Sequence, residues 1–198
     1  RWSPDGSRIA YLAEADGKQQ LWVRYMDDEG LRVQVTRGSE APGMFRWSPD
    51  GKQLAFTMFV AEPPSWKVAL PSAPEGAKWT APPRVVDRFH YRGDRIGYYE
   101  SGHTQLFVVP ADGGTPRQVP RGDGGDAHPA WLNGGTRVVT GNPHEDRALD
   151  PIASDLFAVD LASLELTRLT DRDAPDTPAT PSPDGSLIAY LGYDDELK

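Results

Sequence analysis

Apolar residues along this chain arrive in short runs, and most runs follow a turn of one composition. Trp2-Ser3-Pro4-Asp5-Gly6 precedes Ile9-Ala10-Tyr11, Trp47-Ser48-Pro49-Asp50-Gly51 precedes Leu54-Ala55-Phe56, and Pro181-Ser182-Pro183-Asp184-Gly185 precedes Leu187-Ile188-Ala189-Tyr190. A worn copy, Trp131-Leu132-Asn133-Gly134-Gly135, precedes Val138-Val139. Ser, Pro, Asp and Gly in that order suit a type I turn. Pro presets φ, Asp bonds its own backbone, and Gly supplies the positive φ of a hairpin exit. The runs are β-branched or aromatic with short-range alternation, which predicts strands. A second element, Leu21-Trp22-Val23, recurs as Leu106-Phe107-Val108-Val109 and Leu156-Phe157-Ala158-Val159. A third, Val33 to Thr36, recurs as Arg117 to Pro120 and Thr167 to Thr170. The steps from Thr36 to Trp47, Pro120 to Trp131 and Thr170 to Pro181 are all 11 residues.

Each unit therefore reads as a hairpin followed by two more strands, the pattern of a propeller blade. Units start at Trp2, Trp47, Trp131 and Pro181, at spacings of 45, 84 and 50 residues. The long middle spacing predicts an insertion over about residues 60–104. Six prolines between Glu62 and Pro83 exclude a central strand there. Beyond them, Val85 to Tyr91 reads as a strand, Arg92-Gly93-Asp94-Arg95 as a turn, and Ile96 to Tyr99 as the return strand. The expected fold is all-β. It is a partial β-propeller of four-stranded antiparallel blades, about three whole blades and the start of a fourth across 1–198, with a Pro-rich hairpin insertion. Such an array has two open sheet edges, which invite an oligomer or edge-to-edge association. The opening Arg1-Trp2-Ser3-Pro4 reads as the start of a segment rather than of a natural chain.

Composition narrows the chemistry. The chain has 29 acidic and 21 basic residues, a net charge of −8, with the bases scattered, so no nucleic-acid partner is expected. No run of 18 apolar residues predicts a membrane span. There is no Cys, which removes disulfides, thiolate metal sites and Cys nucleophiles, and no cofactor is expected. No G-x-S-x-G elbow is present. Ser101 and His103 are sequence neighbours, but a catalytic triad needs geometry across a fold, so no catalytic residue is assigned.

The repeats resemble those of TolB-like propellers and of prolyl-oligopeptidase-family propellers. The stretch Pro83 to Asp94, followed by Gly97-Tyr98, Leu106-Phe107-Val108-Val109 and Ala111-Asp112-Gly113-Gly114, resembles the acylaminoacyl-peptidase branch, as does Asp146 to Phe157. That resemblance covers nearly the whole chain. It implies the N-terminal propeller of a serine peptidase whose α/β-hydrolase domain is absent from this sequence. Its blades would surround a tunnel that admits short peptides, in the cytoplasm. The inserted hairpin would lie near the opening between domains. The alternative is a non-catalytic, TolB-like binding module for protein partners, placed in the periplasm.

Among individual residues, Asp5, Asp50 and Asp184 read as turn residues before they read as a ring of acids. Trp2, Trp47 and Trp131 read as packing between blades before a stacking platform. His144, Glu145, Asp146, Asp150 and Asp155 read as solvated loop acids before a hard-cation site. His90 carries no role, nor do His103 and His128, expected just before strand starts. The substrate-binding candidates are Arg92, Arg95, Tyr98 and Tyr99. Arg can hold a peptide carboxylate through paired hydrogen bonds, and Tyr offers apolar area with a polar tip. Solubility and packing of the hairpin is the plain reading of the same four.

Overall fold

The computed structural model describes residues 1–27, 30–63, 71–78, 80, 84–86, 89, 91–119, 125, 127–143, 153–172 and 175–193. His90, His144, Glu145, Asp146 and Asp150 lie outside them. The chain divides into two compact units, one of residues 1–60 with 103–198 and one of residues 61–102.

In chain order the first unit opens with β1 (Arg8–Ala15), β2 (Lys18–Tyr25) and β3 (Arg32–Gln34), then β4 (Pro42–Trp47) and β5 (Gln53–Ala61). The second unit holds β6 (Arg92–Gly93) and β7 (Gly97–Tyr98). The first unit resumes with β8 (Gly102–Pro110), β9 (Arg117–Gln118), β10 (Ala127–Leu132), β11 (Arg137–Pro143), β12 (Ser154–Asp160), β13 (Leu166–Arg168), β14 (Asp176–Pro181) and β15 (Ile188–Gly192). The sheets run β1-β2-β3, β4-β5-β8-β9, β10-β11-β12-β13 and β14-β15. Among the described residues there is no α-helix, only a 3-10 turn over Asn133–Gly135. The expected class stands: an all-β partial propeller of small, open antiparallel sheets.

The repeated turn is a clasp, and it closes the same way three times. Gly6 N–H donates to Ser3 O at 3.0 Å, Gly51 N–H to Ser48 O at 2.9 Å and Gly185 N–H to Ser182 O at 2.9 Å, with glycine φ of 73°, 69° and 70°. The serine hydroxyl donates to the aspartate, Ser3 to Asp5 at 2.5 Å, Ser48 to Asp50 at 2.6 Å and Ser182 to Asp184 at 2.5 Å. The same hydroxyl accepts the N–H that opens the next strand, from Arg8, Gln53 and Leu187. The aspartate also accepts the N–H of Ser7, Lys52 or Ser186. In the worn copy the 3-10 turn at Asn133–Gly135 replaces this network, since Ser and Asp are missing from it.

A second repeated bond joins Leu to Thr across 15 residues, Leu21 to Thr36, and across 14, Leu156 to Thr170. Leu21 N–H donates to Thr36 Oγ1 at 2.9 Å, and that hydroxyl donates to Gln20 Oε1 at 2.8 Å. Leu156 N–H donates to Thr170 Oγ1 at 2.9 Å, and that hydroxyl donates to Asp155 at 3.2 Å. The Asp155 carboxylate, 2% exposed, also pairs with Arg168 at 2.5 Å. It thus acts as a buried strand tie in place of the neutral Gln20.

Alternation along each middle strand feeds two cores at once. Leu54 and Phe56 of β5 join Ala10, Leu21, Val23, Phe107 and Val109 between the first and second sheets. Ala55, Leu106, Val108 and Val119 turn the other way and meet Trp131, Val138 and Val159 of the third sheet. Leu132, Val139, Leu156 and Ala158 then meet Ala179 of the fourth. The Phe56 and Phe107 rings stack at 5.6 Å in the first seam. Every seam between sheets is thus an apolar core fed from both sides.

Trp47 and Trp131 lie in these seams, each 8% exposed. Trp47 Nε1 donates to Arg1 O, and Trp131 Nε1 to Arg46 O, both at 3.1 Å. The acceptor in each case is the residue before the preceding sheet's Trp. Trp2 departs from the expectation for the three: it is 58% exposed. Arg8 pins the first seam further. Its guanidinium donates to Gly51 O at 2.6 Å and Asp112 at 3.2 Å, and lies 5.0 Å from the Trp47 ring centre.

Two details differ from the sequence reading. The first strand of a sheet begins upstream of the Trp, at Pro42 or Ala127, and carries a bulge between Pro42 and Phe45, between Ala127 and Ala130, and between Asp176 and Ala179. A bulge breaks period-two alternation, which hides these strands in the sequence. His103 and His128 accordingly lie inside β8 and β10, not ahead of them.

The clasps make a pH prediction. Hydrogen bonds from Ser3 and Ser7 hold Asp5 down from 3.8 to about 2, those from Ser182 and Ser186 hold Asp184 down from 3.8 to about 2, and Ser48 with Lys52 lowers Asp50. The folded chain therefore binds fewer protons at these sites than the unfolded chain. Their contribution is complete above the ordinary carboxylate range and is lost as pH falls toward 2. Replacing Asp5, Asp50 and Asp184 by Asn should lower the melting temperature at pH 6 and flatten its decline between pH 4 and pH 2. Parallel melting curves for variant and parent would show that the carboxylates carry no such linkage.

Candidate functional site

The second unit is built around a short hairpin. Arg92 pairs with Tyr98 and Gly93 with Gly97. Ile96 N–H donates to Gly93 O at 3.3 Å, so the turn runs from Gly93 to Ile96, one residue later than its composition suggests. Arg95 at its tip has φ of 64° and Gly97 has φ of 89°. Only Gly adopts such values freely, so the tip is strained at Arg95. Tyr99 N–H donates to Tyr91 O at 2.9 Å, and Glu62 N–H to Ser101 O at 2.9 Å, which closes the base of the unit. Val85, Val86 and Phe89 lie outside any strand, contrary to the strand expected over 85–91. A hairpin this short offers no third strand position to stabilise them.

A cleft of about 330 Å³ lies within this unit. Tyr91, Tyr98 and Tyr99 form its aromatic wall, Val85 and Val86 its aliphatic wall, and Glu62, Glu100, Ser101 and Arg84 its polar groups. The Tyr91 and Tyr98 rings are 6.1 Å apart and tilted by 33°. The Arg84 guanidinium stands 4.4 Å from the Tyr98 ring centre, close enough for a cation–π contact. Gly93 makes room for Tyr99: a Cβ there would overlap the Tyr99 hydroxyl. The cleft is open to solvent and brings both charge signs together with aromatic and aliphatic surface.

The four candidates separate here. All four are exposed; Tyr98 and Tyr99 line the cleft, and Arg92 and Arg95 do not. The basic residue in the cleft is Arg84, which the sequence reading did not select. It lies 14 residues before Tyr98, with no periodic element to connect the two. Its only signal is a charge beside two valines.

With fold and site in view, comparison with known proteins becomes informative. No family model matches the sequence. The structure is similar to Pyrococcus horikoshii acylaminoacyl peptidase, with a TM-score of 0.60 at 18% identity, over 89% of this chain and 25% of that one. It is equally similar to TolB from Acinetobacter baumannii, with a TM-score of 0.60 at 16% identity, over 98% of this chain and 37% of that one. This chain is a segment of a β-propeller. In sequence the propeller segment is similar to the uncharacterized peptidase YuxL of Bacillus subtilis, 26% identical over 144 residues, which is 70% of this chain. It spans 20% of that peptidase's length. The expected likeness to acylaminoacyl-peptidase propellers stands, with the likeness to TolB beside it.

The packing of Tyr99 on Gly93 gives a direct test. Gly93→Ala should expel the Tyr99 ring from the cleft. In a chain labelled at tyrosine, the ring resonances of Tyr98 and Tyr99 should shift while those of Tyr11 and Tyr25 stay in place. An unmoved Tyr99 would contradict the packing described.

Proposed function

We propose that this propeller segment selects short peptides for a serine peptidase of the acylaminoacyl-peptidase type, whose catalytic residues lie outside the 198 residues. The observation that carries the proposal is the sequence similarity to an uncharacterized peptidase, along 70% of the segment, in a chain whose fold is also similar to that of an acylaminoacyl peptidase. The sequence itself has no nucleophile elbow, so the segment contributes recognition and shielding. Shielding matters because excluding water strengthens the electrostatics of acyl transfer. The cleft of Tyr98, Tyr99 and Arg84 supplies a contact surface for peptide, and the rigid sheets supply a scaffold for it. Arg92 and Arg95, exposed on the same hairpin, reach peptide only outside the cleft. Open sheet edges favour association of the segment with further strands, and the cytoplasm is the compartment proposed.

A second reading, partner binding without catalysis, is favoured by the equal fold likeness to TolB. One experiment separates the two. The complete protein that contains this segment should react with a fluorophosphonate probe at a single serine, and it should cleave N-acylated short peptides but spare folded proteins. A complete protein that neither labels nor cleaves would leave the binding module as the correct account.

A further inference from the structure

Six Asp-Gly pairs stand in this chain, and five lie among the described residues: Asp5-Gly6, Asp16-Gly17, Asp50-Gly51, Asp112-Gly113 and Asp184-Gly185. At such a pair a chain can react with itself. The glycine nitrogen attacks the aspartate Cγ, the Cγ hydroxyl leaves as water, and a succinimide ring forms. Water then reopens the ring at either carbonyl. One opening restores aspartate, and the other routes the main chain through Cβ and Cγ as isoaspartate. The water consumed equals the water released, so the change is an isomerisation and needs no further reactant. Glycine permits it because it has no Cβ to hinder the rotation that brings its nitrogen to Cγ.

Exposure does not separate the five, since all five aspartates lie at the surface. Hydrogen bonding does. In the three clasps both reacting groups are tied: the glycine N–H donates to a serine carbonyl, and the carboxylate accepts the serine hydroxyl and a main-chain N–H. The same bonds hold Asp5 and Asp184 at about 2 and lower Asp50, so the carboxyl form with a hydroxyl to lose is scarce. Asp112 is tied from across the seam, by the Tyr25 hydroxyl at 2.5 Å and Arg8 at 3.2 Å, while Gly113 N–H donates to Pro110 O at 3.1 Å. Asp16-Gly17 differs. It is the two-residue turn between β1 and β2, closed by Ala15 opposite Lys18. Positive φ at both residues, 51° and 78°, makes it a type I′ turn. Among the described residues no hydrogen bond reaches the Asp16 carboxylate or leaves the Gly17 N–H. A Cβ on Gly17 would meet nothing within 4 Å, so the turn stands clear in solvent. Rotation of Asp16 toward the ring therefore disturbs only the end of a hairpin.

We infer that Asp16-Gly17 is a site of spontaneous aspartate-to-isoaspartate modification, set apart from four Asp-Gly pairs that their hydrogen bonds protect. Isoaspartate adds a main-chain carbon to a turn built for two residues with positive φ. The Ala15–Lys18 closure is lost, and β1 parts from β2 from the tip toward Leu12 and Leu21, which belong to the first seam. The modified turn is a substrate for the class of enzyme that methylates isoaspartyl carboxylates from S-adenosylmethionine. The inference is independent of the peptide-selecting role.

The test ages the 198-residue chain at neutral pH and body temperature and digests it with trypsin. The five pairs leave in separate peptides, Asp16-Gly17 within residues 9–18. Asp123-Gly124 and Asn133-Gly134 leave together in another, residues 122–137. Electron-transfer fragmentation distinguishes isoaspartate from aspartate of the same mass. Isoaspartate should build up at Asp16 about tenfold faster than at Asp5, Asp50, Asp112 or Asp184, the factor that one hydrogen bond to a carboxylate supplies when it must break first. In guanidinium chloride the five rates should draw together. Ser3→Ala with Ser7→Ala should raise the rate at Asp5 toward that at Asp16 and leave Asp50 unchanged. The same two changes at Ser182 and Ser186 repeat the test at Asp184 should the first variant lose its fold. An isoaspartyl methyltransferase supplied with S-adenosylmethionine should label residues 9–18 of the aged chain. Equal rates at the five pairs in the folded chain, a lead at Asp16 that persists in guanidinium chloride, or clasp aspartates whose rates ignore the loss of their serines would overturn the inference.

Discussion

The bond from a tryptophan indole to the main-chain carbonyl of the sheet before it is the constraint on which this architecture turns. Sheets packed face to face slide easily when only apolar contacts hold them, because burial is non-directional. A single buried donor that must find one acceptor removes that freedom, since leaving it unmade costs about 1–3 kcal/mol. Trp47 on Arg1 O and Trp131 on Arg46 O set the same registry in two successive seams. Once registry is set, Leu54 and Phe56 face one core and Ala55 the other, and each inner sheet has both faces buried. The Ser-Pro-Asp-Gly clasp does the complementary work within a sheet. It fixes the strand entry, and after Trp47 it delivers indole and clasp together.

This division of labour bears on function. The long insertion joins the neighbouring strands β5 and β8 beyond the buried residues that these strands give to the seams. The insertion then holds chemistry that the sheets do not need: three tyrosines, an arginine over a ring, and two carboxylates around a cleft.

Much of the fold was legible because its signals are local. Ser48, Pro49, Asp50 and Gly51 form their network within six residues, so composition alone reports it. The 14- and 15-residue steps from Leu to Thr are legible because a buried hydroxyl ties those two strands. Strand starts were illegible where a bulge interrupts alternation, as at Gly43-Met44 before Phe45. The exposure of Trp2 was illegible because packing depends on what the chain places beside a residue, not on the residue. In the cleft, Tyr98 and Tyr99 were found from the hairpin they end, while Arg84 joins them through a non-local contact with no spacing to announce it.

The registry claim can be tested at the indole protons themselves. In a 15N-labelled chain, with each resonance assigned by Trp→Phe substitution, the Nε1–H protons of Trp47 and Trp131 should exchange with solvent far more slowly than that of Trp2. That result would place both donors in closed seams and Trp2 at an open face. Indole exchange at one common, fast rate for all three would show that the seams are not held by these bonds, and the account of the fold built on them would fail.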